Sequence, residues 1–163
     1  MSSDRASAII VAGTLILAAT VAAQTGPAQD TARRLSLFPP GAGRDALFKV
    51  CQDCHGPESV LGHWQTRDEW KKTLDEMATN GAQGSDEEWT QIEEYLVKYY
   101  SLIFVNTATS SELASTLDVP ADAAEAIVRV RSEQGGLKTV DDLKRVSGIA
   151  AATIDARKDR LVF

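Results

Sequence analysis

At 163 residues the chain has room for one or two small domains and not for a large multidomain enzyme. A quarter of the residues are charged and the formal net charge is −6, which excludes attraction of nucleic acid over the whole surface and leaves only a local patch. Residues 36–105 hold six Lys and Arg against twelve Asp and Glu, whereas residues 106–163 hold eight against nine, so such a patch would belong to the second half.

The first residues read as an export signal. Arg5 follows Met1, an uncharged stretch runs over residues 6–29 with its apolar centre at residues 8–19, and Val21, Ala22 and Ala23 suit a signal-peptidase cut after Ala23. Residues 1–23 are therefore expected to be a signal peptide. The alternative is an uncleaved anchor, because the apolar run approaches the ~20 residues that a spanning helix needs. Either reading places the rest outside the cytoplasmic membrane, periplasmic or secreted, with membrane contact only through an uncleaved N-terminal segment. Residues 24–44 contain Gly26, Pro27, Pro39, Pro40, Gly41 and Gly43 without sustained periodicity and read as a linker, with Arg33 and Arg34 as a solvated pair.

Asp45 is placed to cap a short helix through Ala46, Leu47, Phe48 and Val50. A loop follows from Gly56 to Gln65. Thr66 and Glu69 form a capping-box pattern, and Trp70, Leu74 and Met77 then recur on one helix face. Asn80, Gly81 and Gly84 end that helix. Ser85 and Glu88 open the next, with Trp89, Ile92, Leu96 and Tyr99 as its apolar stripe. About three helices around so small a core are marginal alone, and such domains often lean on a bound group.

From Asn106 onward the chain repeats itself at about thirty residues: Glu112-Leu113 returns as Asp142-Leu143, and Val119 as Ile149. Each unit reads as a short helix, a tight turn and a further helix. The first is expected at residues 111–117, with its turn at Asp118-Val119-Pro120 and a second helix over residues 121–132. Gly135 and Gly136 separate the units, Thr139 and Asp142 cap the second, and Ser147-Gly148 form its turn.

Cys51-Gln52-Asp53-Cys54-His55 has the spacing of a c-type haem attachment motif. Two intervening residues let one helical turn present both thiols to one edge of the porphyrin, where they add across its vinyl groups. His55 then lies beneath the iron as proximal ligand. A dithiol or half a zinc site would share the cysteine spacing, but no βαβ pattern and no second cysteine pair surround it. For the other axial position the order of preference is Met77, then His63, then an open site; thioether ligation raises the reduction potential.

On these residues the chain resembles a family of small exported monohaem cytochromes. The resemblance is carried by Leu37-Phe38-Pro39-Pro40-Gly41 before the haem motif, Thr66-Arg67-Asp68-Glu69-Trp70 after it, Met77 with Gly81-Ala82, and Tyr95-Leu96. It implies electron transfer with Met77 as distal ligand. Leu61-Gly62-His63-Trp64 departs from the family, in which this stretch is more basic.

Residues 106–163 resemble a tandem helix-hairpin-helix domain like that of exported competence DNA receptors. Val105-Asn106-Thr107-Ala108, Ser111-Glu112-Leu113, Gly136 to Leu143 and the ending Asp159-Arg160-Leu161-Val162-Phe163 all fit. The DNA-binding version uses a Gly-hydrophobe-Gly turn, in which backbone N–H groups meet a phosphate. Here the first turn has lost both glycines and the second, Gly148-Ile149-Ala150, keeps one. Arg129, Arg131, Lys144, Arg145, Arg157, Lys158 and Arg160 would remain as a patch, or as solvated faces balanced by acids, the preferred reading.

The expected fold is thus all-α: a small cytochrome c domain at residues 45–104 and a tandem helix-hairpin-helix domain at residues 105–163. The expected function is single-electron transfer through one covalent haem c held by Cys51, Cys54, His55 and Met77, with His55 and Met77 on the iron. Redox donor and acceptor proteins are the expected partners, and the repeat serves for docking. The alternative is a DNA-associated binding protein with a structural or redox-sensing haem. An enzyme is not expected; a small peroxidase would need an open iron face and His63 as acid-base group.

Overall fold

A computed structural model describes residues 27–163. The expected export signal lies outside these residues. Among the described residues no helix is long and apolar enough to cross a membrane.

The chain is mostly helical, as the all-α reading requires. The helices are α1 (Pro27–Leu35), α2 (Arg44–Cys51), α3 (Arg67–Thr79), α4 (Asp86–Tyr100), α5 (Ser110–Leu117), α6 (Ala121–Gln134), α7 (Val140–Lys144) and α8 (Ala151–Asp155). Two short strands, β1 (Ile103–Phe104) and β2 (Leu161–Val162), pair in parallel. Neither strand is foreseeable from alternation, since each has only two residues.

Within residues 24–44, read as a linker without sustained periodicity, Pro27–Leu35 form helix α1. Pro27 opens it, Asp30 lies in its first turn and Arg33 and Arg34 in its last, an order that complements the helix dipole. Arg34 is also no solvated tether: its Nε and Nη2 donate to the two carboxylate oxygens of Glu58 at 2.5 and 3.0 Å. This fork holds α1 against the turn that follows the cysteines.

The first core is formed by α2, α3 and α4. Leu47, Phe48, Trp70, Leu74, Ile92, Tyr95, Leu96 and Tyr100 are buried in it, joined by Phe38. Asp45 does not cap α2. The N-cap is Gly43, in a left-handed conformation with φ 86°, and Asp45 falls in the first turn. A Cβ at Gly43 would stand 2.1 Å from the Gln91 carbonyl oxygen of α4, so this crossing requires glycine. Thr66 with Glu69 and Ser85 with Glu88 form both capping boxes as expected.

The second core gathers Val105, Leu113, Leu117, Ile127, Leu137, Leu143, Val146 and Ile154. Its two hairpins repeat in space as in sequence. Thr109 with Glu112 and Thr139 with Asp142 build matching capping boxes, and Asp118 and Gly148 both take positive φ, at 58° and 85°. Asn106 bridges the repeats: its Nδ2 donates to the Leu137 carbonyl and its Oδ1 accepts from the Leu137 N–H, at 2.7 and 2.8 Å.

The two cores meet at the C-terminal end of α4, where carbonyls have no partner within the helix. The Trp70 indole N–H donates to Tyr100 O at 2.9 Å, and Arg160 donates to Lys98 O and Ser101 O at 3.0 and 2.7 Å.

Candidate cofactor cavity and nucleic-acid interface

A cavity of about 340 Å³ opens between the end of α2 and the face of α3. Cys51, Cys54, His55 and Met77, the four residues singled out in the sequence, all line it. Its walls are completed by Val50, Leu74, Asn80, Ala82 and Trp89, a largely apolar set. The volume is that of a small-molecule or cofactor pocket, ~300–1,000 Å³. The end of α2 presents Cys51, the following turn presents Cys54 and His55, and the repeat of α3 that buries Trp70 and Leu74 leaves Met77 half-buried at the rim.

His55 Nδ1 lies 3.1 Å from the Gly56 carbonyl oxygen and 3.3 Å from Ser59 Oγ. A carbonyl only accepts, so Nδ1 carries the proton in that contact and Nε2 keeps its lone pair for a ligand. Both thiols are free, and burial pushes that of Cys51 up to about 11, so it stays protonated at neutral pH. Two thiols, an imidazole, a thioether and apolar walls in one cavity are the donor set that a c-type haem requires. His63 is exposed on the loop before α3, with Nδ1 near Leu61 O at 3.2 Å, and does not line the cavity.

The second candidate surface is formed by the hairpins. In the first turn Asp118 stands in the left-handed region that glycine favours. Its two carboxylate oxygens face Lys98 Nζ of α4 at 3.4 Å and Arg157 Nη2 at 3.5 Å. In the second turn Gly148 keeps its positive φ, and Ser147 and Gly148 are exposed.

The seven basic residues, read as a patch or, by preference, as faces balanced by acids, are divided by the structure. Arg160 is buried, and its desolvation lowers its pKa to about 10. Arg131 donates to Val105 O at 2.7 Å; Lys144 pairs with Asp155, Arg145 with Asp142 and Arg157 with Asp118. Arg129 and Lys158 remain exposed without an ion pair among the described residues, and Lys138 joins them. Sequence reasoning missed Asn106 and the inward role of Arg160. The signal was present for Arg160, which lies inside the ending Asp159 to Phe163 that carries the repeat's resemblance.

Residues 99–162 match a family described as the helix-hairpin-helix motif, and this part of the chain is a helix-hairpin-helix domain. Relatives match over the same length of about sixty residues. An uncharacterized protein of Haemophilus influenzae is 40% identical over 60 residues, which cover 36% of this chain and 54% of that protein. ComE operon protein 1 of Bacillus subtilis is 36% identical over 61 residues, 37% of this chain and 30% of that protein. Endonuclease/exonuclease/phosphatase family domain-containing protein 1 of Xenopus laevis is 43% identical over 54 residues, 33% and 10%. The chain thus spans about half or less of the length of these relatives. No solved structure matches it.

These findings correct the class expected from the sequence. The matching family is helix-hairpin-helix, and none of these three relatives is named as a cytochrome. Among the described residues no three His, Cys, Asp or Glu side chains gather where they could hold a metal ion. The description as a metal-binding, electron-transfer cytochrome therefore gives way to that of a chain with a helix-hairpin-helix domain at residues 99–162.

Proposed function

We propose that the protein is a DNA-associated binding module. The observation that carries this reading is the helix-hairpin-helix match over residues 99–162, which includes likeness to ComE operon protein 1. The second hairpin retains one of the two glycines of the phosphate-binding turn, Gly148, exposed and at positive φ, where a side chain would stand in the way. Arg129, Lys138 and Lys158 supply exposed charge on the same domain. Placement outside the cytoplasm belongs to this proposal and rests on Arg5 and the apolar residues 8–19.

The cavity adds a cofactor to the proposal: Cys51, Cys54, His55 and Met77 would hold one covalent haem. Bound there, it would supply a one-electron couple, in a structural or redox-sensing role. The chain's own part is to fix the imidazole through Gly56 O and to shield the site with Val50, Leu74 and Trp89. Such a group would fill the cavity and add contacts to a small core.

Anisotropy of labelled duplex DNA, titrated with the full chain at low and moderate salt, tests the first part. Binding should weaken steeply with salt, and replacing Arg129, Lys138 and Lys158 by Ala should flatten that dependence. Absence of binding at low salt overturns it. Absorbance of the purified protein, with colour retained after denaturation and lost in the Cys51→Ser/Cys54→Ser variant, tests the second. Comparing DNA affinity of the oxidised and reduced forms separates a sensing from a structural role.

A further inference from the structure

The contact of Asp118 with Lys98 and Arg157 joins three parts of the fold. Lys98 belongs to the last turn of α4, in the first core. Asp118 is the tip of the first hairpin, and Arg157 follows α8 of the second. The two oxygens of one carboxylate each face a different cation, at 3.4 and 3.5 Å. A phosphodiester presents two anionic oxygens in the same way. Arg160 adds to the positive field, since its guanidinium sits close enough to Arg157 to be disfavoured by it and is anchored on Lys98 O. Two cations therefore flank the Asp118 carboxylate, with Arg160 behind them beside Arg157. Asp118 is largely exposed, with 61% of its side chain accessible, and Lys98 keeps 39%, so their pair is open to solvent, weak and exchangeable. Arg157 keeps 19% and also donates from Nη1 to Thr153 O at 3.1 Å, so it is held in place while Nη2 faces the carboxylate. Asp118 also holds φ 58°, a conformation that an L residue adopts at a cost.

We propose that Lys98 and Arg157 form a phosphodiester-binding pair spanning the two cores, which the Asp118 carboxylate occupies until a nucleic-acid phosphate displaces it. The proposal rests on the DNA-binding reading and extends the footprint beyond the helix-hairpin-helix repeats onto α4. It gives the acid at the first turn a purpose: the side chain limits affinity for isolated phosphates and yields to a polyanion that engages the second hairpin at the same time.

The test is a salt-dependent anisotropy titration of one labelled duplex with the full chain, comparing the wild type with Asp118→Asn, Lys98→Ala, Arg157→Ala and the Asp118→Asn/Lys98→Ala double variant. Glu125→Gln, an exposed acid on α6, controls for the loss of one negative charge. Asp118→Asn is expected to tighten binding roughly three- to tenfold and to steepen the salt slope by about 1, the mark of one added phosphate contact. Glu125→Gln should do neither to that extent. Adding Lys98→Ala should abolish the gain, a coupling between the two positions that a general charge effect would not produce. Equal tightening by Glu125→Gln, or a gain in Asp118→Asn that survives Lys98→Ala, overturns the proposal and leaves DNA binding standing. No binding by any of the proteins overturns both.

Discussion

Arg160 Nε donates to the carbonyl oxygen of Ser101 at 2.7 Å, across fifty-nine positions of sequence. The same guanidinium reaches Lys98 O at 3.0 Å and lies 6.0 Å from the centre of the Trp64 ring. One side chain near the end of the second core thus closes the helix that ends the first. Removing it would leave buried carbonyls without a donor. Arg160→Ala should therefore destabilise the protein by about 2–4 kcal/mol, and Arg160→Lys, with a single charged head in place of the fork, should recover only part. Urea unfolding with an unchanged m-value checks this.

Gly43 carries a second prediction. Its φ of 86° and the 2.1 Å approach of a notional Cβ to Gln91 O oppose any side chain. Gly43→Ala should cost more than the ~1 kcal/mol of an ordinary left-handed glycine, because α2 must also move away from α4. Thermal unfolding should report the loss. Gly62→Ala, at φ 75° with open space around it, should cost only the conformational share.

The capping boxes predict a pH dependence. Glu112 is held below the usual carboxylate range by the backbone N–H of Thr109, and Asp142 by that of Lys138, with the threonine hydroxyls adding to each. Because both folded values are depressed, their contribution is complete above the ordinary carboxylate pKa of about 4 and disappears as pH falls through the folded values. A Thr109→Ala/Thr139→Ala variant should be less stable at neutral pH and show a flatter acid limb. Each cap is worth about 1 kcal/mol at neutral pH. Denaturation midpoints measured from neutral pH down to about 2 separate the two effects.

The cavity thiols yield a chemical prediction. In haem-free protein, Cys51 is half-buried with its pKa pushed up to about 11, while Cys54 is exposed. Alkylation at neutral pH should mark Cys54 first, and Cys51 should react fully only at strongly alkaline pH or on unfolding. Peptide mass mapping over time distinguishes them.

Much of this architecture is legible in the sequence, for local reasons. Capping patterns at Thr66, Ser85 and Thr139 depend on four consecutive residues, and they form as read. The thirty-residue repeat is equally visible, because Leu113 and Leu143 must both be fully buried for each hairpin to close. The cavity residues were identified by the reach of two thiols and an imidazole within one turn. What escaped depends on distant partners. Gly43 replaces Asp45 at the start of α2 because Gln91 approaches it, and α1 is fixed by Glu58, twenty-four positions from Arg34. Of the seven basic residues weighed as a patch and preferred as faces balanced by acids, Lys144, Arg145 and Arg157 do pair with acids, whereas Arg131 and Arg160 turn to backbone carbonyls. A count of charges does not reveal which of them face inward.

The parallel pairing of Ile103 with Leu161 and Phe104 with Val162 has a consequence for the order in which the chain is assembled. Both partners flank the two hairpins, so the second core is closed by residues separated by the whole of that domain. During synthesis the first core can collapse as soon as α4 has emerged, whereas the second must wait for its last strand. Until Arg160 and β2 arrive, Tyr100 O has the Trp70 indole and the Gln65 N–H as donors, while Lys98 O and Ser101 O lack the guanidinium that satisfies them. The seam between the cores is therefore the last part of the molecule to become native and, by the same token, the part that a lesion near residue 160 would undo first.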